Sequence, residues 1–257
     1  MNKHFLITLL HSEDTEYYLY VWSQEIIDLA EEKGFKVFQL EKGNACRDKF
    51  EGHLQSINPC FVMLNGHGNN TTICGNRLEP ILKEGENHAL LAGRVVYARS
   101  CYALSSLGRA SAKDGCNAFI GYSAPFSFVS HPGYISRPLK DPLAYPCLQT
   151  SNLIPISLLK GSDIDGSVKK AKEKMAELMV EWETRVEKEA TFVASCIYWN
   201  ISFAEEHPAL KGWVCCSFGE VSPSRSAFTP PTEVGGFSAD LAMTCLGYEG
   251  DGNAKIV

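Results

Sequence analysis

Two short polar stretches, Asn65-Gly66-His67-Gly68 and Arg99-Ser100-Cys101, each follow an apolar run directly. A cysteine is a nucleophile only as its thiolate, and an ordinary pKa of about 8.5 leaves little thiolate at neutral pH. A neighbouring imidazole accepts the thiol proton and later returns it to a leaving amine. His67 and Cys101 together therefore have the chemistry needed for acyl transfer.

Acyl transfer also requires N–H donors directed at the oxygen that becomes negatively charged in the transition state. The glycines on both sides of His67 have no Cβ, so the backbone there can approach a substrate carbonyl closely. We expect the backbone N–H groups of Gly68 and Cys101 to be the oxyanion donors.

Strand and helix signals alternate through the first half of the chain, which predicts a mostly parallel sheet with helices on both faces. The predicted strands are 5–10, 36–40, 60–64, 94–98 and 117–122. Ligands of such sheets bind beyond the carboxyl ends of the strands. His67 follows the third strand and Cys101 the fourth. If these strands are neighbours, the two side chains face each other across about 5 Å.

The remaining chain is less regular. Helices are predicted near 18–29, 46–57, 78–91 and 103–113. The stretch Ser123–Lys160 contains six prolines and is predicted as a long loop that forms a wall of the substrate groove. A long amphipathic helix is predicted from Ile164 to Val186. Residues 194–204 are compatible with helix or strand, and 213–218 with a last strand. We expect one domain over 1–221 and a Pro/Gly-rich C-terminal extension over 222–257.

Composition restricts the function classes. A formal charge of −6 argues against nucleic-acid binding, which requires a basic face. The apolar run His4–Leu10 is too short to span a membrane, and neither a membrane contact nor a secretory signal is expected. The ten cysteines lie scattered in apolar segments, which indicates buried free thiols and a cytoplasmic location.

The motifs resemble those of caspase-like cysteine peptidases, the group of caspases, gingipains, legumains and separases, with CHAT-type and gingipain-like domains the most similar. The resemblance rests on NGHG after one apolar strand, SC after the next, and NAFIGYS as a fifth strand, and it covers about residues 3–221. It implies a three-layer α/β/α sandwich and an endopeptidase that forms a thioester on Cys101. It implies a protein or peptide substrate, control by a partner, ligand or processing, and no cofactor or metal.

The same resemblance places the residue two before the cysteine in the pocket for the side chain that precedes the cleaved bond. Caspases have Gln there and legumains Asp, whereas this chain has Arg99. A guanidinium can bind a carboxylate through two parallel hydrogen bonds, which favours an acidic substrate residue. Alternatively, a nearby acid neutralises Arg99 and the pocket has another preference. Ser123, after the fifth strand, is a second candidate for substrate contact.

Three other interpretations stay open at this point. The same fold can act as a catalytically silent binding or scaffold module. A flavodoxin-like small-molecule domain is also possible, although GHGNNTT lacks the Lys and the final Ser/Thr of a phosphate-binding loop. Finally, His67 can be a loop histidine and Cys101 one more buried thiol. Without CxxC or HxxxH spacing, no zinc site is expected.

Overall fold

The computed structural model describes residues 3–208 and 255–256. Within these residues the strands alternate with helices through the first half of the chain, as the sequence predicts. The strands are β1 (His4–Leu9), β2 (Lys36–Glu41), β3 (Phe61–Asn65), β4 (Thr72–Cys74), β5 (Pro80–Lys83), β6 (Val95–Arg99), β7 (Ala118–Tyr122), β8 (Val129–Ser130), β9 (Ala204–Pro208) and β10 (Lys255–Ile256). The α-helices are α1 (Asp14–Glu32), α2 (Arg47–Ser56), α3 (Leu107–Lys113), α4 (Tyr145–Leu159), α5 (Ile164–Glu183) and α6 (Ala190–Phe203).

The central sheet has six strands in the order β2-β1-β3-β6-β7-β9. The first five are parallel to one another, and β9 pairs antiparallel with β7 at the edge. Every residue of β3, β6 and β7 is buried. Continuous apolar runs of this kind are typical of parallel strands covered on both faces. The predicted mostly parallel sheet is confirmed.

Alternate residues of the strands contribute to two separate cores. Phe61, Met63, Val95 and Tyr97 pack in one core with α1, α4, α5 and α6. Their sequence neighbours, such as Val62 and Val96, pack in the other core with α2 and α3. Because successive side chains of a strand point to opposite faces, the two cores lie on the two sides of the sheet. The prediction of a three-layer α/β/α sandwich is confirmed.

The structure corrects two predictions of local structure. The helix predicted over 78–91 is wrong, because this stretch contains β5, paired antiparallel with β4, and two 3-10 turns. The loop predicted over Ser123–Lys160 is also wrong for its second half, which forms α4. Pro146 lies in the first turn of α4, where a missing N–H costs nothing, and Pro155 lies inside it.

The second half of the chain adds α5 and α6. The predicted long helix is α5, which ends at Glu183, and Val186 beyond it is almost fully exposed. The ambiguous residues 194–204 belong mostly to α6. The strand predicted over 213–218 lies outside the described residues. Within the predicted extension, β10 pairs antiparallel with β8.

Candidate active site

His67 and Cys101 occupy equivalent positions on neighbouring strands. β3 and β6 are parallel neighbours, and their last paired residues are Asn65 and Arg99. His67 and Cys101 each follow two residues later, so the strand register directs both to the same edge of the sheet. They line one cavity there. The structure therefore brings together the two residues whose types suggested acyl transfer.

Gly68 brings the histidine loop into contact with the cysteine loop. A Cβ built on Gly68 would overlap the Ser100 Oγ and lie 2.9 Å from the Thr72 carbonyl oxygen and 3.2 Å from the Cys101 carbonyl oxygen. The loop is held by two backbone hydrogen bonds, from Cys74 N–H to His67 O at 2.8 Å and from Asn69 N–H to Thr72 O at 2.9 Å. Only glycine fits this contact without displacing the neighbouring backbone.

The two predicted oxyanion donors are not bound to other described residues, although the Cys101 N–H interacts with its own thiol. Among the described residues, no other residue accepts a hydrogen bond from the N–H of Gly68 or of Cys101. Ser100 packs against Gly68 and precedes Cys101. It is 2% exposed, and its Oγ has no hydrogen-bond partner in the described part of the chain. Because most buried polar groups in proteins are paired, these groups are available to a ligand's polar atoms.

Glu13 binds the catalytic candidate His67 and was not predicted from the sequence. His67 Nε2 lies 2.5 Å from Glu13 Oε1, and since a carboxylate only accepts, Nε2 carries the proton. Nδ1 is then the nitrogen that can accept a proton from elsewhere. Glu13 precedes α1 in extended conformation, on the loop after β1. This loop lies at the same edge of the sheet because β1 is the neighbour of β3.

The Cys101 thiol is partly shielded from solvent. Burial raises the pKa of the Cys101 thiol, and hydrogen bonding to the backbone of Phe126 opposes part of this shift. No hydrogen bond joins the sulfur to His67, so in this state the thiol keeps its proton. The following residue, Tyr102, has a φ of 57°, which is uncommon for a residue other than glycine. Its N–H donates to the Ala124 carbonyl at 3.1 Å, which holds the turn in this conformation.

The cavity beside Cys101 has a volume of about 150 Å³. Leu19 of α1 forms part of its wall, and Phe126 and Phe128, after β7, form another part. Glu16, also on α1, borders it and is 5% exposed. One oxygen of the Glu16 carboxylate accepts the Ser12 N–H at 2.8 Å. The cavity thus combines an apolar interior with the polar groups of the two loops.

Arg99 borders this cavity, but its guanidinium is buried and bonded within the core. The side chain is 1% exposed. It donates to Asn65 Oδ1 at 3.0 Å, Asn152 Oδ1 at 2.8 Å, Ser23 Oγ at 2.9 Å and the Leu19 carbonyl at 3.2 Å. Burial lowers the pKa of the guanidinium, with the nearby Tyr97, Tyr122 and Glu25 acting against it. The structure therefore does not present the Arg99 guanidinium to a substrate carboxylate.

Ser123 lies at the other side of the strand end. Its N–H donates to the Phe203 carbonyl at 2.9 Å, and its O–H to the same oxygen at 3.5 Å. Its own carbonyl accepts from Ser105 Oγ at 2.9 Å. Ser123 does not line the cavity beside Cys101. The structure thus separates Ser123 from the other predicted site residues.

One group of side chains has the composition of a metal site. The ligand atoms of Glu13, Glu16 and His67 lie within 4.8 Å of one another. Carboxylate and imidazole groups bind divalent cations, but Glu13 is exposed and its carboxylate already accepts from His67. We assign no metal to this group.

The seven described cysteines are free thiols, and four of them, Cys60, Cys116, Cys147 and Cys196, are buried. In the part of the chain that the structure describes, no helix has both the length and the apolar character needed to cross a membrane.

Comparison with known proteins gives likenesses in fold. No protein-family model matches the sequence, and no curated protein matches it. Among solved structures, the Arg-specific cysteine proteinase gingipain R matches 75% of this chain and 44% of its own, with 12% identity and a TM-score of 0.45. A complex of the Porphyromonas gingivalis RgpB pro- and mature domains matches 83% of this chain and 49% of its own, with 10% identity and a TM-score of 0.49. The chain thus spans less than half the length of either. These likenesses assign no role to any residue.

Proposed function

We propose that this protein is a cysteine endopeptidase in which Cys101 is the nucleophile and His67 the general acid and base. One observation carries the proposal: His67 and Cys101 extend equally far beyond paired residues of neighbouring strands and line one cavity. Glu13 adds to it, because a carboxylate on Nε2 leaves Nδ1 of the imidazole free to accept a proton. The constellation of nucleophile, base and orienting acid is the one that acyl transfer requires.

In the proposed reaction, Nδ1 of His67 removes the proton from the Cys101 thiol, and the sulfur attacks the scissile carbonyl carbon. The C–N bond then breaks, the imidazolium protonates the leaving amine, and a thioester remains on Cys101. Water, deprotonated by His67, attacks the thioester, releases the acid and restores the thiol. Glu13 stabilises the imidazolium that forms in each half of the reaction.

The N–H groups of Gly68 and Cys101 are proposed to bind the oxyanion. Both are unused by other described residues, and Gly68 packs against the Ser100-Cys101 backbone. Backbone donors fixed in advance stabilise developing charge without reorganisation, and losing one such donor costs about 10²–10³ in rate. We leave Arg99 and Ser123 out of the proposed substrate contacts. The Arg99 guanidinium is hydrogen-bonded in the core, and Ser123 is hydrogen-bonded to Phe203 of α6 and to Ser105.

We also propose that the catalytic domain extends to residue 221, that residues 222–257 are an extension of it, and that a partner, ligand or cleavage controls activity. The conformation described here supports the control of activity, because the Cys101 thiol has no hydrogen bond to His67 and burial raises the pKa of the thiol. A rearrangement that brings thiol and imidazole into contact would supply the thiolate that catalysis needs.

The proposal is tested by mapping newly formed protein N-termini in cells that express either the wild type or Cys101→Ala. We expect a set of cleavages that disappears in Cys101→Ala and persists in Cys74→Ala, a matched control because Cys74 is also a partly exposed free thiol but lies outside the cavity. Identical N-termini in wild type and Cys101→Ala would contradict the peptidase. They would favour the alternative of a catalytically silent binding module.

A further inference from the structure

The segment Pro125–Phe128, here called the aromatic wall, lines the cavity beside Cys101 and is held rigidly in place. Asn200 of α6 binds both backbone groups of Ser127: Asn200 Oδ1 accepts the Ser127 N–H at 3.2 Å, and Asn200 Nδ2 donates to the Ser127 carbonyl at 2.7 Å. Trp199 Nε1 donates to the Pro125 carbonyl at 2.9 Å. Three hydrogen bonds from one helix therefore fix the backbone that carries Phe126 and Phe128.

Ring contacts fix the side chains of the wall as well. The Phe126 ring lies 4.8 Å from that of Tyr122, centroid to centroid, and the Phe128 ring lies 5.5 Å from that of Tyr18. The rings of Phe126 and Phe128 are 6.3 Å apart. Aromatic pairs at 4.5–7 Å stabilise one another, so the wall is formed before any ligand binds.

The two charged side chains that border the inner part of this cavity are Arg99 and Glu16. The guanidinium of Arg99 is committed to four core acceptors. The Glu16 carboxylate accepts from the Ser12 backbone and lies within 4.8 Å of the ligand atoms of His67 and Glu13, on the histidine side. The large apolar side chains of the lining are Leu19, Phe126 and Phe128, and its other members are Thr15, Gly66, His67, Ser100 and Cys101. A buried charge without a partner is costly, so an acidic side chain is disfavoured there, since Arg99 has no donor left for it. A basic side chain would have to pair with Glu16, one of whose oxygens already accepts from Ser12, while the aromatic and leucine side chains would lie against its charge.

The size of the cavity sets the size of its occupant. An apolar cavity of about 150 Å³ in another protein binds benzene. The cavity here has about the same volume. It is large enough for the side chain of leucine, methionine or phenylalanine. Cys101 lines it, and the Cys101 thiol is hydrogen-bonded to the backbone of Phe126.

We propose that this cavity is the specificity pocket of the enzyme and that it selects a medium-sized apolar residue immediately before the cleaved bond. The inference rests on the proposed peptidase function, since it assumes that Cys101 attacks the carbonyl of the residue held in the pocket. It replaces the acidic preference that the sequence suggested from Arg99.

The test uses four peptidyl acyloxymethyl ketones that differ only in the residue before the ketone: Leu, Phe, Asp or Arg. The Cys101 sulfur attacks the methylene carbon, a thioether forms and the carboxylate leaves, so the reaction needs no further reactant. Intact-protein mass spectrometry measures the rate of modification, with Cys101→Ala as blank. We expect the Leu and Phe probes to react at least about tenfold faster than the Asp and Arg probes.

Phe126→Leu tests whether the wall sets this preference. The smaller side chain enlarges the cavity, so the rate with a 2-naphthylalanine probe should rise relative to the Leu probe. Phe50→Leu, the same substitution in the core on the other face of the sheet, should leave that ratio unchanged. If Phe126→Leu does not fold, Leu19→Ala enlarges the same cavity from α1.

Fastest reaction of the Asp or Arg probe, or equal rates for all four, overturns the specificity and leaves the peptidase standing. A ratio unaltered in both cavity variants also overturns it. If no probe modifies wild-type Cys101, the specificity proposal fails, and the mapping of newly formed N-termini decides whether the peptidase proposal fails with it.

Discussion

Gly68 and Ser100 are in contact where the two loops of the candidate site meet. The Cβ of any residue other than glycine at position 68 would overlap Ser100 Oγ and come within 2.9 Å of the Thr72 carbonyl oxygen. Since Ser100 precedes the proposed nucleophile, this contact fixes the distance between the histidine loop and the cysteine loop.

Gly68→Ala should therefore reduce both stability and activity. We expect a loss of about 1–3 kcal/mol in the free energy of unfolding, because the new methyl group is overpacked. The catalytic rate should fall roughly 10²-fold, because a proposed oxyanion donor, the Gly68 N–H, moves. The control is Gly52→Ala inside α2, where nothing lies within 4 Å of the new Cβ, and which should stabilise the protein by about 0.5–1 kcal/mol. Equal behaviour of the two variants would contradict the contact's role.

Cys101→Ala and His67→Ala should each abolish proteolysis and leave the fold intact. Both side chains lie beyond the strand ends and line the cavity, so neither fills the core. Because residues that act as one unit lose activity non-additively, the double variant should be no less active than either single one. Turnover of a verified substrate and circular dichroism measure the two effects. Wild-type turnover in either single variant would refute the dyad.

Glu13→Gln should lower kcat roughly 10- to 10²-fold with little change in KM, because an amide stabilises the imidazolium less than a carboxylate does. Both partners are substantially exposed, and solvent screening limits the effect. Glu32→Gln, an exposed acid near the other end of α1, is the control and should have wild-type kinetics. If Glu13→Gln also keeps the wild-type kcat, Glu13 does not act through His67.

Arg99→Lys should destabilise the protein by about 3–5 kcal/mol, since an ammonium cannot bind all four acceptors and remains a buried, poorly paired charge. Urea unfolding measures this loss. Arg77→Lys, at an exposed arginine, is the control and should change stability by less than about 0.5 kcal/mol. If Arg99→Lys has the wild-type unfolding midpoint but prefers a different substrate residue before the cleaved bond, Arg99 contacts the substrate after all.

Glu206 should make stability depend on pH near neutrality. Burial, followed by repulsion from Asp165, raises the pKa of the Glu206 carboxyl to about 7, with Lys172 opposing and Glu205 adding to the shift. Because the folded-state pKa is raised, this contribution to stability is full below about pH 4.5 and is lost as pH rises through 7. The stability of Glu206→Gln relative to wild type should therefore increase from pH 5 to pH 8, by roughly 1 kcal/mol. Glu173→Gln, exposed on α5, should show no such trend.

The sheet and its strand-end loops were predictable because buried parallel strands leave continuous apolar runs in the sequence. The predicted helix over 78–91 is wrong because the apolar residues of a short antiparallel pair can imitate helical spacing. α4 was missed because its prolines resembled those of a loop, although Pro146 lies in the first turn. The first error concerns strands whose formation depends on pairing, and the second a helix whose prolines are also typical of loops.

The site residues that escaped prediction are those defined by distant contacts. Glu13 meets His67 across 54 positions of sequence, and only the polar stretch after β1 hinted at it. The burial of Arg99 depends on Ser23, 76 positions before it, and on Asn152, 53 positions after it. No spacing in the sequence connects these residues, because the sheet order, not the chain order, makes them neighbours.

The hydrogen bond between Arg99 and Asn152 has a consequence for the order in which the protein can be made. As the chain is synthesised, both catalytic candidates are present once residue 101 has been added. The Arg99 guanidinium, however, lacks its Asn152 acceptor until α4 has been synthesised. A fragment that ends after β7 would leave that cation without its Asn152 acceptor, and without the aromatic wall that α6 holds. The growing chain thus cannot complete the proposed site until most of the domain has left the ribosome, which would delay the proposed cleavage by an unfinished protein.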